Sequence, residues 1–411
     1  MAADLSRRSF LGRSFALGCS AAASPLLTPV TLASAPWDTR LVVIILRGAM
    51  DGLDVVQPYG DPHLAGLRNK LPVGEAAGAH DLDGFFALHP ALGDLMPLWR
   101  AGELGFAHAV STPYRDKRSH FDGQDLLEAG TGFTPGQPIA QEGWLNRMLQ
   151  VVPGIEAETA FAIGRESMRV LQGPAPVANW WPQVRFQLTP QTRRLLEMVY
   201  HDDPLFRDSL VQAVEIAGSL DPTLPDTEEP AGMMQGGMAP AKRGARGKAH
   251  VEVAEFAADR LRRDTRIAAF SISGWDTHAN QKAALKGPLS QLSETILALR
   301  AGLGPDWDST AVVAMTEFGR TVRENGTGGT DHGTAGAMLL AGGALKGGRV
   351  WGNWPGLGEG DLYQGRDLMP TADVRAYAAA TMRGLFGLDR TTLETAIFPG
   401  LDMAGLDGLI R

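Results

Sequence analysis

Residues 41–48 read Leu-Val-Val-Ile-Ile-Leu-Arg-Gly, and this stretch decides the fold class. Six apolar residues in a row, rich in valine and isoleucine, are typical of a strand buried on both faces of a parallel sheet. On the carboxyl-terminal side of this stretch, further apolar runs at 104–110, 266–271, 310–315 and 337–341 predict four more strands. The chain is therefore expected to build an extended central sheet.

Segments with helical periodicity lie between and after these runs. They cover residues 92–100, 123–128, 142–151, 191–200, 251–263, 289–303 and 372–386. Strands that alternate with helices predict an α/β protein with a doubly wound, mostly parallel sheet and helices on both faces. We expect one domain over residues 36–411. Its segment 221–250, rich in Pro, Gly and Met, is predicted to be a mobile insertion.

The amino-terminal residues predict export. Residues 6–11 read Ser-Arg-Arg-Ser-Phe-Leu, and an Ala-rich apolar stretch then leads to Ala-Ser-Ala at 33–35. This pattern is typical of a twin-arginine signal peptide, here over residues 1–35, with cleavage after Ala35 and a periplasmic or otherwise exported product. Pro25 and Pro29 argue against a membrane anchor, and a lipid anchor on Cys19 is an alternative.

Composition excludes several classes of function. The 411 residues carry a net charge of −8, which disfavours non-specific binding to nucleic acid. No later segment has 18 uninterrupted apolar residues, so no membrane span is expected in the mature chain. The only cysteine, Cys19, lies in the predicted signal. A thiolate-held metal or cluster is therefore excluded from the mature protein.

Carboxylates and imidazoles follow the predicted strands, where α/β proteins bind ligands. In chain order these are Asp51 and Asp54, then Ser119-His120, then Asp276 and His278, then Glu317, and finally Asp331-His332 in the glycine-rich loop before the last strand. Oxygen ligands with one or two imidazoles suit one divalent cation such as Zn, Mg, Mn or Ca. Each residue taken alone also fits a structural role, such as a turn at Asp51, a helix cap at Asp276 or an ion pair of Glu317.

Ser119 is the candidate nucleophile. It lies at a predicted helix start three residues before Asp122, so it is also a candidate N-cap. A serine needs a base or a metal ion to become nucleophilic. Arg118 beside it is a candidate for binding a phosphate or sulfate oxygen. Ser111, which follows the second strand directly, is the rival nucleophile.

Six motifs together resemble a known family. They are RGAMDGLD at 47–54, RSHFDGQDLLEAG at 118–130, GWLNRML at 143–149, GWDTHANQ at 274–281, TEFGRT at 316–321 and GTDHGTAGAM at 329–338. This set resembles the exported bacterial proteins grouped as domain of unknown function number fifteen hundred and one. That family is placed in the alkaline-phosphatase-like superfamily, which also holds sulfatases. The resemblance implies an alkaline-phosphatase-like fold and a metal-dependent esterase site.

The superfamily pattern implies metal ligands at Asp51, Asp276, His278 and His332, with Asp331 beside the last. It also implies a nucleophile at Ser119, whereas a sulfatase-like pattern chooses Ser111. Two departures stand out. Asp276 and His278 are spaced Asp-x-His instead of Asp-x-x-x-His, and Phe318 stands where a metal-binding histidine is expected. One metal ion, or none, is therefore expected instead of two.

These patterns predict an exported hydrolase-like protein that acts on phosphate or sulfate esters. In this interpretation Ser119, Glu317 and Arg118 are catalytic, and Asp51, Asp276, His278, Asp331 and His332 hold one divalent cation. The alternative is a non-catalytic member that keeps the fold and serves as an exported binding or assembly partner. A redox protein is a third hypothesis, but residues 47–52 lack a dinucleotide-binding glycine pattern.

Overall fold

A computed structural model describes residues 37–152, 159–163, 168–180, 248–403 and 405–411. The predicted signal peptide, the predicted helix at 191–200 and all but the last three residues of the predicted insertion lie outside the described residues. The main sheet, the helices that cover it and the candidate site all lie within the described residues.

The main sheet confirms the predicted α/β class. It contains nine strands: β1 (Arg40–Arg47), β5 (Leu104–Ser111), β6 (Ala160–Ile163), β7 (Ala178–Trp180), β8 (Ile267–Ser273), β9 (Thr310–Met315), β10 (Gly336–Ala341), β11 (Val350–Trp351) and β12 (Ala372–Asp373). Eight of them run in the order β11-β5-β10-β9-β1-β8-β6-β7, and β12 pairs with β5. A small second sheet, absent from the sequence prediction, joins β2 (Val56–Gln57), β3 (His80–Asp81) and β4 (Ala87–Leu88).

Strand β1 lies inside the sheet, as its apolar run predicts. It pairs in parallel with β8 on one side and with β9 on the other. Leu41, Val43 and Ile45 pack into one core, whereas Val42 and Ile44 pack into the core on the opposite face. Alternate side chains of a strand point to opposite faces, so a strand buried on both faces needs an unbroken apolar run.

Helices cover both faces of the sheet, as predicted. The described helices are α1 (Gly52–Val55), α2 (Leu64–Leu67), α3 (Met96–Arg100), α4 (His120–Ala129), α5 (Trp144–Val151), α6 (Ala249–Leu261), α7 (Gln281–Ala284), α8 (Lys286–Leu303), α9 (Val374–Phe386) and α10 (Arg390–Thr392). Buried side chains of α5 and α9 belong to one core, and those of α3, α6 and α8 belong to the other. No helix of the described residues is long and apolar enough to span a membrane.

Strand direction brings the polar segments to one edge. Strands β1, β5, β8 and β9 end at the same edge of the sheet, whereas β10 runs antiparallel to both β5 and β9. The loop that precedes β10 therefore reaches the edge at which the other strands end. This single reversed strand explains how Asp331 and His332, which come before a strand, meet residues that come after strands.

Candidate metal centre

Three imidazoles converge on one carboxylate oxygen at the carboxyl edge of the sheet. Asp276 Oδ1 lies 3.4 Å from His120 Nε2, 3.1 Å from His278 Nε2 and 3.2 Å from His332 Nε2. The Nε2 atoms of His278 and His332 are 2.9 Å apart. We call these four residues the metal-site cluster. Their side chains are between 19% and 46% exposed, so the cluster is open to solvent.

Each of the three imidazoles is held at its other nitrogen. His120 Nδ1 lies 2.7 Å from Glu317 Oε1, and His278 Nδ1 lies 3.3 Å from Asp331 Oδ1. His332 Nδ1 donates to the carbonyl oxygen of Arg118 at 2.9 Å. Metal-binding histidines characteristically donate their second ring N–H to a carboxylate or a backbone carbonyl, which fixes the ring and its tautomer.

These outer contacts leave the inner nitrogens as acceptors. A carbonyl oxygen only accepts, so the proton of a neutral His332 sits on Nδ1 and its Nε2 presents a lone pair. The same reasoning applies to His120 and His278, which face the carboxylates of Glu317 and Asp331. Lone pairs of three imidazoles and of Asp276 therefore face one another. A cation placed among them would satisfy the acceptors of His120, Asp276 and His332, whose ligand atoms all lie within 4.8 Å of one another.

The spacing of the four atoms also fits a metal ion. Ligand nitrogens about 2.1 Å from a zinc ion in a tetrahedral site are about 3.4 Å from one another. The observed separations of 2.9–3.4 Å lie close to that value. The ligand atoms of His120, Asp276 and His332 all lie within 4.8 Å of one another. The residues present therefore fit one divalent cation.

The surroundings of Asp276 favour its deprotonated, negatively charged form. Burial would raise its pKa, but Arg320 Nη2, 2.6 Å from its Oδ1, outweighs this effect and lowers the pKa to about 2. The Arg320 guanidinium is buried and also donates to the carbonyl oxygens of Gly48, Ala49 and Thr330. These contacts engage Arg320 in structural hydrogen bonds that hold the loop around Asp276.

Glu317 lies behind His120 and takes no place among the ligand atoms. It is fully buried, and its Oε1 accepts hydrogen bonds from His120, from Gln124 Nε2 and from the backbone N–H of Gly48. Burial would raise the pKa of Glu317, but the hydrogen bonds from His120 and Gln124 outweigh it and lower the pKa. The hydrogen bond to Glu317 in turn raises the pKa of His120. Glu317 thus orients a ligand, and its predicted catalytic role stays a prediction.

Close backbone packing positions the segments of the cluster. A side chain at Gly48, which has φ +121°, would place its Cβ 2.6 Å from the backbone nitrogen of Asp276. A Cβ at Gly329 would lie 2.4 Å from the carbonyl of His278. Only glycine permits such approaches, so the glycine-rich motifs after β1 and before β10 bring their neighbours against the Asp276–His278 segment.

Phe318, where the resemblance led us to expect a histidine, lines the cluster. Its ring stacks on that of His120, with centroids 5.2 Å apart and 22° between the planes, and lies 5.2 Å from the ring of His332. His120 at the start of α4 thus supplies an imidazole beside the position at which Phe318 lacks one. From the sequence, His120 is expected at this edge but not as a metal ligand. Its place in the RSHFD motif was the available signal.

Asp51 lies in a different environment from the cluster. Its two carboxylate oxygens contact Arg68, at 2.6 Å from Nη1 and 3.1 Å from Nη2, and Oδ2 also accepts from Gln281 Nε2 at 2.6 Å. Gln281 Nε2 donates to Asp54 Oδ2 at 2.9 Å as well. We call Asp51, Asp54, Arg68 and Gln281 the Asp51 network. Because Arg68 and Gln281 already satisfy Asp51, these contacts do not support its predicted role as a metal ligand.

Ser119 caps helix α4, as one of its two interpretations predicts. Its Oγ accepts from the backbone N–H of Asp122 at 3.4 Å, and its side chain is half-buried beside His120. Ser111 is buried at the end of β5 and donates its hydroxyl to the carbonyl of Thr112. The accessible hydroxyl next to the cluster is therefore that of Ser119. Its role as a nucleophile stays a prediction.

The fold and the cluster define the class of this protein: an α/β protein with a candidate mononuclear metal centre at the carboxyl edge of its sheet. A family model described as "Protein of unknown function (DUF1501)" matches residues 99–397, and the chain belongs to that family. The family expected from the six motifs is thereby confirmed. No curated protein sequence matches the chain.

Several solved structures are similar to this chain. A protein in the alkaline phosphatase superfamily from Vibrio parahaemolyticus is 12% identical, with 80% of this chain and 68% of that chain covered and a TM-score of 0.34. The lipoteichoic acid synthase LtaP from Listeria monocytogenes is 10% identical, with 70% and 57% covered and a TM-score of 0.29. The C-terminal periplasmic domain of EcEptC from Escherichia coli, in complex with Zn, is 12% identical, with 74% and 73% covered and a TM-score of 0.31. The superfamily expected from the motifs thus appears among the similar structures.

Proposed function

We propose that this protein binds one divalent cation through His120, Asp276 and His332, with His278 as a fourth ligand, and hydrolyses phosphate or sulfate esters after export. The observation that carries the proposal is the convergence of three imidazole lone pairs on one carboxylate oxygen. A set rich in imidazole favours zinc or another transition metal over Mg or Ca, which prefer oxygen ligands.

A cation bound here would supply Lewis-acid polarisation of an ester oxygen and lower the pKa of a hydroxyl beside it. The Ser119 hydroxyl is the proposed nucleophile: its oxygen bonds to phosphorus or sulfur as the bond to the ester oxygen breaks, and its proton leaves with the alcohol product. Water then hydrolyses the seryl ester and releases inorganic phosphate or sulfate. Glu317 keeps the His120 ring in place through its 2.7 Å contact with Nδ1. Arg118, whose side chain is 35% exposed, is the proposed partner for the charge that develops on the ester oxygens.

Metal content is the first test. We expect the protein purified after export to contain one equivalent of a transition metal, and the His332→Ala variant to lose it. His250→Ala is a matched control, because His250 on α6 forms an ion pair with Glu294 on α8 and does not belong to the metal-site cluster. Wild-type protein that takes up no divalent cation at micromolar concentration would exclude the metal centre.

Hydrolysis of aryl phosphates and aryl sulfates is the second test. Ser119→Asn removes the hydroxyl but keeps a side chain that caps helices well, so stability should change little. We expect this variant to lose turnover while it retains its metal. Turnover that survives in Ser119→Asn would rule out the serine nucleophile and leave metal-assisted attack by water. Turnover absent from the metal-loaded wild type would exclude the proposed activity.

Export through the twin-arginine route belongs to the same proposal. Its support is the arginine pair at 7–8 and the Ala-Ser-Ala pattern at 33–35. Changing both arginines to lysine should keep the protein in the cytoplasm with its first 35 residues attached, as cell fractionation and mass spectrometry would show.

A second candidate function, an exported binding or assembly partner without catalysis, is favoured by Phe121. This ring is 83% exposed and follows His120 directly in the chain. Exposed aromatic rings are enriched where proteins bind partners. If this candidate holds, Phe121→Ser abolishes capture of a specific exported partner and Ser119→Asn does not.

A further inference from the structure

Two arginines that flank the metal-site cluster share one buried carboxylate. Asp367 is fully buried, and its Oδ1 accepts from Arg366 Nη1 at 2.8 Å, whereas its Oδ2 lies 3.5 Å from Arg118 Nη2. Thr334 Oγ1 also donates to Oδ2, at 2.9 Å. One carboxylate neutralises one guanidinium. A second carboxylate, Asp331, interacts electrostatically with Arg366, and both arginine side chains are 35% exposed.

Both arginines are tied to the same metal-site histidine. The carbonyl oxygen of Arg118 accepts from His332 Nδ1 at 2.9 Å, and Arg366 Nη1 donates to the carbonyl oxygen of His332 at 3.0 Å. The Arg366 guanidinium thus lies against the His332 backbone, the Arg118 backbone lies against the His332 ring, and the Arg118 guanidinium reaches the same Asp367 as Arg366. Arg366 was not singled out by the sequence analysis, because it lies in a loop far along the chain from every motif.

The loops that carry the arginines are also linked to each other. Asp116 Oδ1 accepts from Tyr363 Oη at 3.2 Å and from Gln364 Nε2 at 2.9 Å. Arg118 has φ +53°, a left-handed conformation that costs an L-residue energy and persists only where its surroundings hold it. That conformation lets its carbonyl reach His332 while its side chain reaches Asp367. The separation of the two guanidinium groups is therefore fixed from two sides.

Donors remain available in this arrangement. In the described part of the chain, both hydrogen bonds of the Arg366 guanidinium come from Nη1, which leaves Nε and Nη2 without one. The Arg118 guanidinium makes only its 3.5 Å ion pair with Asp367. Guanidinium groups offer planar pairs of N–H donors that match the oxygens of phosphate and sulfate.

We infer that Arg118 and Arg366, held apart by Asp367, form a binding site for a tetrahedral oxyanion, phosphate or sulfate, beside the metal centre. This inference deepens the proposed function, on which it rests for the substrate class, and it adds Arg366 as a residue that contacts the substrate anion. The site would hold the ester's anionic group against the cluster and would also bind the inorganic product. The protein is therefore expected to be inhibited by its own product anion.

Calorimetric titration of the metal-loaded protein with inorganic phosphate and, separately, with sulfate tests the inference. We expect Arg366→Gln and Arg118→Gly each to weaken binding of the preferred anion by about tenfold to a hundredfold, the usual effect of losing hydrogen bonds between charged groups. Glycine adopts positive φ without strain, so Arg118→Gly keeps the carbonyl that holds His332 and removes the guanidinium alone. The anion that binds more tightly identifies phosphate or sulfate esters as the substrate class.

Arg383→Gln is the matched control, because Arg383 forms an exposed ion pair with Asp407 at the opposite edge of the sheet. Metal content and melting temperature are measured for every variant. Should Arg366→Gln fail to fold, Arg118→Gly gives the same measurement. Wild-type protein that binds neither anion, or an affinity unchanged in both variants, overturns the inference. Intact phosphate or sulfate binding without ester hydrolysis would instead overturn the proposed activity and leave the anion site standing.

Discussion

The metal-site cluster and the Asp51 network lie at the same edge of the sheet, and both begin with aspartates that follow strands. In the Asp51 network, Asp51 and Arg68 side chains are each 1% exposed, and guanidinium and amide donors meet the carboxylate oxygens. In the cluster, Asp276 is 46% exposed and shares its Oδ1 with three imidazoles whose other nitrogens are already engaged. In the Asp51 network the Arg68 guanidinium neutralises the carboxylate. In the metal-site cluster the imidazole nitrogens remain available to a bound metal ion.

An aspartate at a strand end is therefore not by itself a sign of metal binding. Arg68 and Arg320 each donate to an aspartate at 2.6 Å, so what distinguishes the two regions is whether acceptors around the aspartate remain unsatisfied. Arg68 neutralises Asp51, whereas the Arg320 guanidinium on Asp276 leaves the imidazole lone pairs unsatisfied. The variants below test this distinction, in order of decreasing expected effect.

The largest effect is expected from Arg68→Met. This change leaves Asp51 as a buried charge without its cation, and breaking a buried pair in this way costs about 3–5 kcal/mol of folding free energy. Chemical denaturation would measure the loss. The double variant Arg68→Met/Asp51→Asn should recover much of it, because the uncompensated charge is gone.

Arg383→Ala serves as the control for this prediction, since its exposed ion pair with Asp407 should contribute less than about 1 kcal/mol. A loss in Arg68→Met no larger than that of the control would mean that solvent or an ion reaches Asp51. The Asp51 network would then resemble the cluster, and Asp51 would return as a candidate ligand.

The second largest effect concerns pH and His108, which is buried behind the helix that Asp51 caps. Burial lowers the pKa of His108 to about 4, although its Nε2 contacts the carbonyl oxygen of Val56 at 2.9 Å. In the unfolded chain the imidazole titrates near its ordinary pKa of about 6.5. The unfolded state therefore binds more protons between these values, and stability present above pH 6.5 is lost as the pH falls toward 4.

We expect His108 to account for a loss of roughly 3 kcal/mol across that window, taking about 1.4 kcal/mol for each pKa unit. Comparison of unfolding free energies of the wild type and His108→Gln at several pH values isolates this contribution, because other groups titrate in both proteins. Parallel curves for the two proteins would contradict it. Loss of metal on acidification is a separate measurement, because it depends on the cluster and not on this buried imidazole.

Much of the fold was predictable, because a strand that is buried on both faces of a sheet appears in the sequence as an unbroken run of apolar residues. The run at 310–315 matches β9 residue for residue, and the one at 104–110 falls one residue short of β5. The starts of helices were less predictable, because other backbone conformations can replace the first turn of an α-helix. The predicted helix at 92–100 begins as a 3₁₀ turn over Pro90–Leu95, and the one at 372–386 begins only after the short strand β12.

The site was predictable in part for a related reason. Asp276, His278 and His332 follow from strand ends and from the loop before β10, so the sequence placed them at one edge. The ion pair of Asp51 with Arg68 depends on a side chain in another segment, for which no local pattern exists. His120 was not predicted to be a metal ligand, because the neighbouring Ser119 fitted the role of a nucleophile at the start of the same helix.

An intermediate effect is expected from Glu317→Gln, which tests whether the outer contacts prepare the cluster. Removal of the carboxylate behind a metal-binding histidine usually weakens metal affinity by about tenfold to a hundredfold. Competition with a chelator would measure the affinity. Glu128→Gln is the matched control, because Glu128 is a buried glutamate of α4, the helix that begins at His120, and it pairs with Arg47. If Glu317→Gln binds the metal as tightly as the wild type, or loses no more affinity than Glu128→Gln does, Glu317 has a purely structural role.

The smallest effect on stability is expected at Phe121, and its smallness is useful. A ring that is 83% exposed buries little apolar surface, so Phe121→Ser should change the free energy of unfolding by less than about 0.5 kcal/mol. The adjacent His120 should keep its contact with Glu317, and metal content should stay at one equivalent. A loss above about 1 kcal/mol at low protein concentration would mean that other parts of the chain cover the ring. Phe121 would then be unavailable to a partner, and the candidate function as an exported binding protein would lose the observation that favours it.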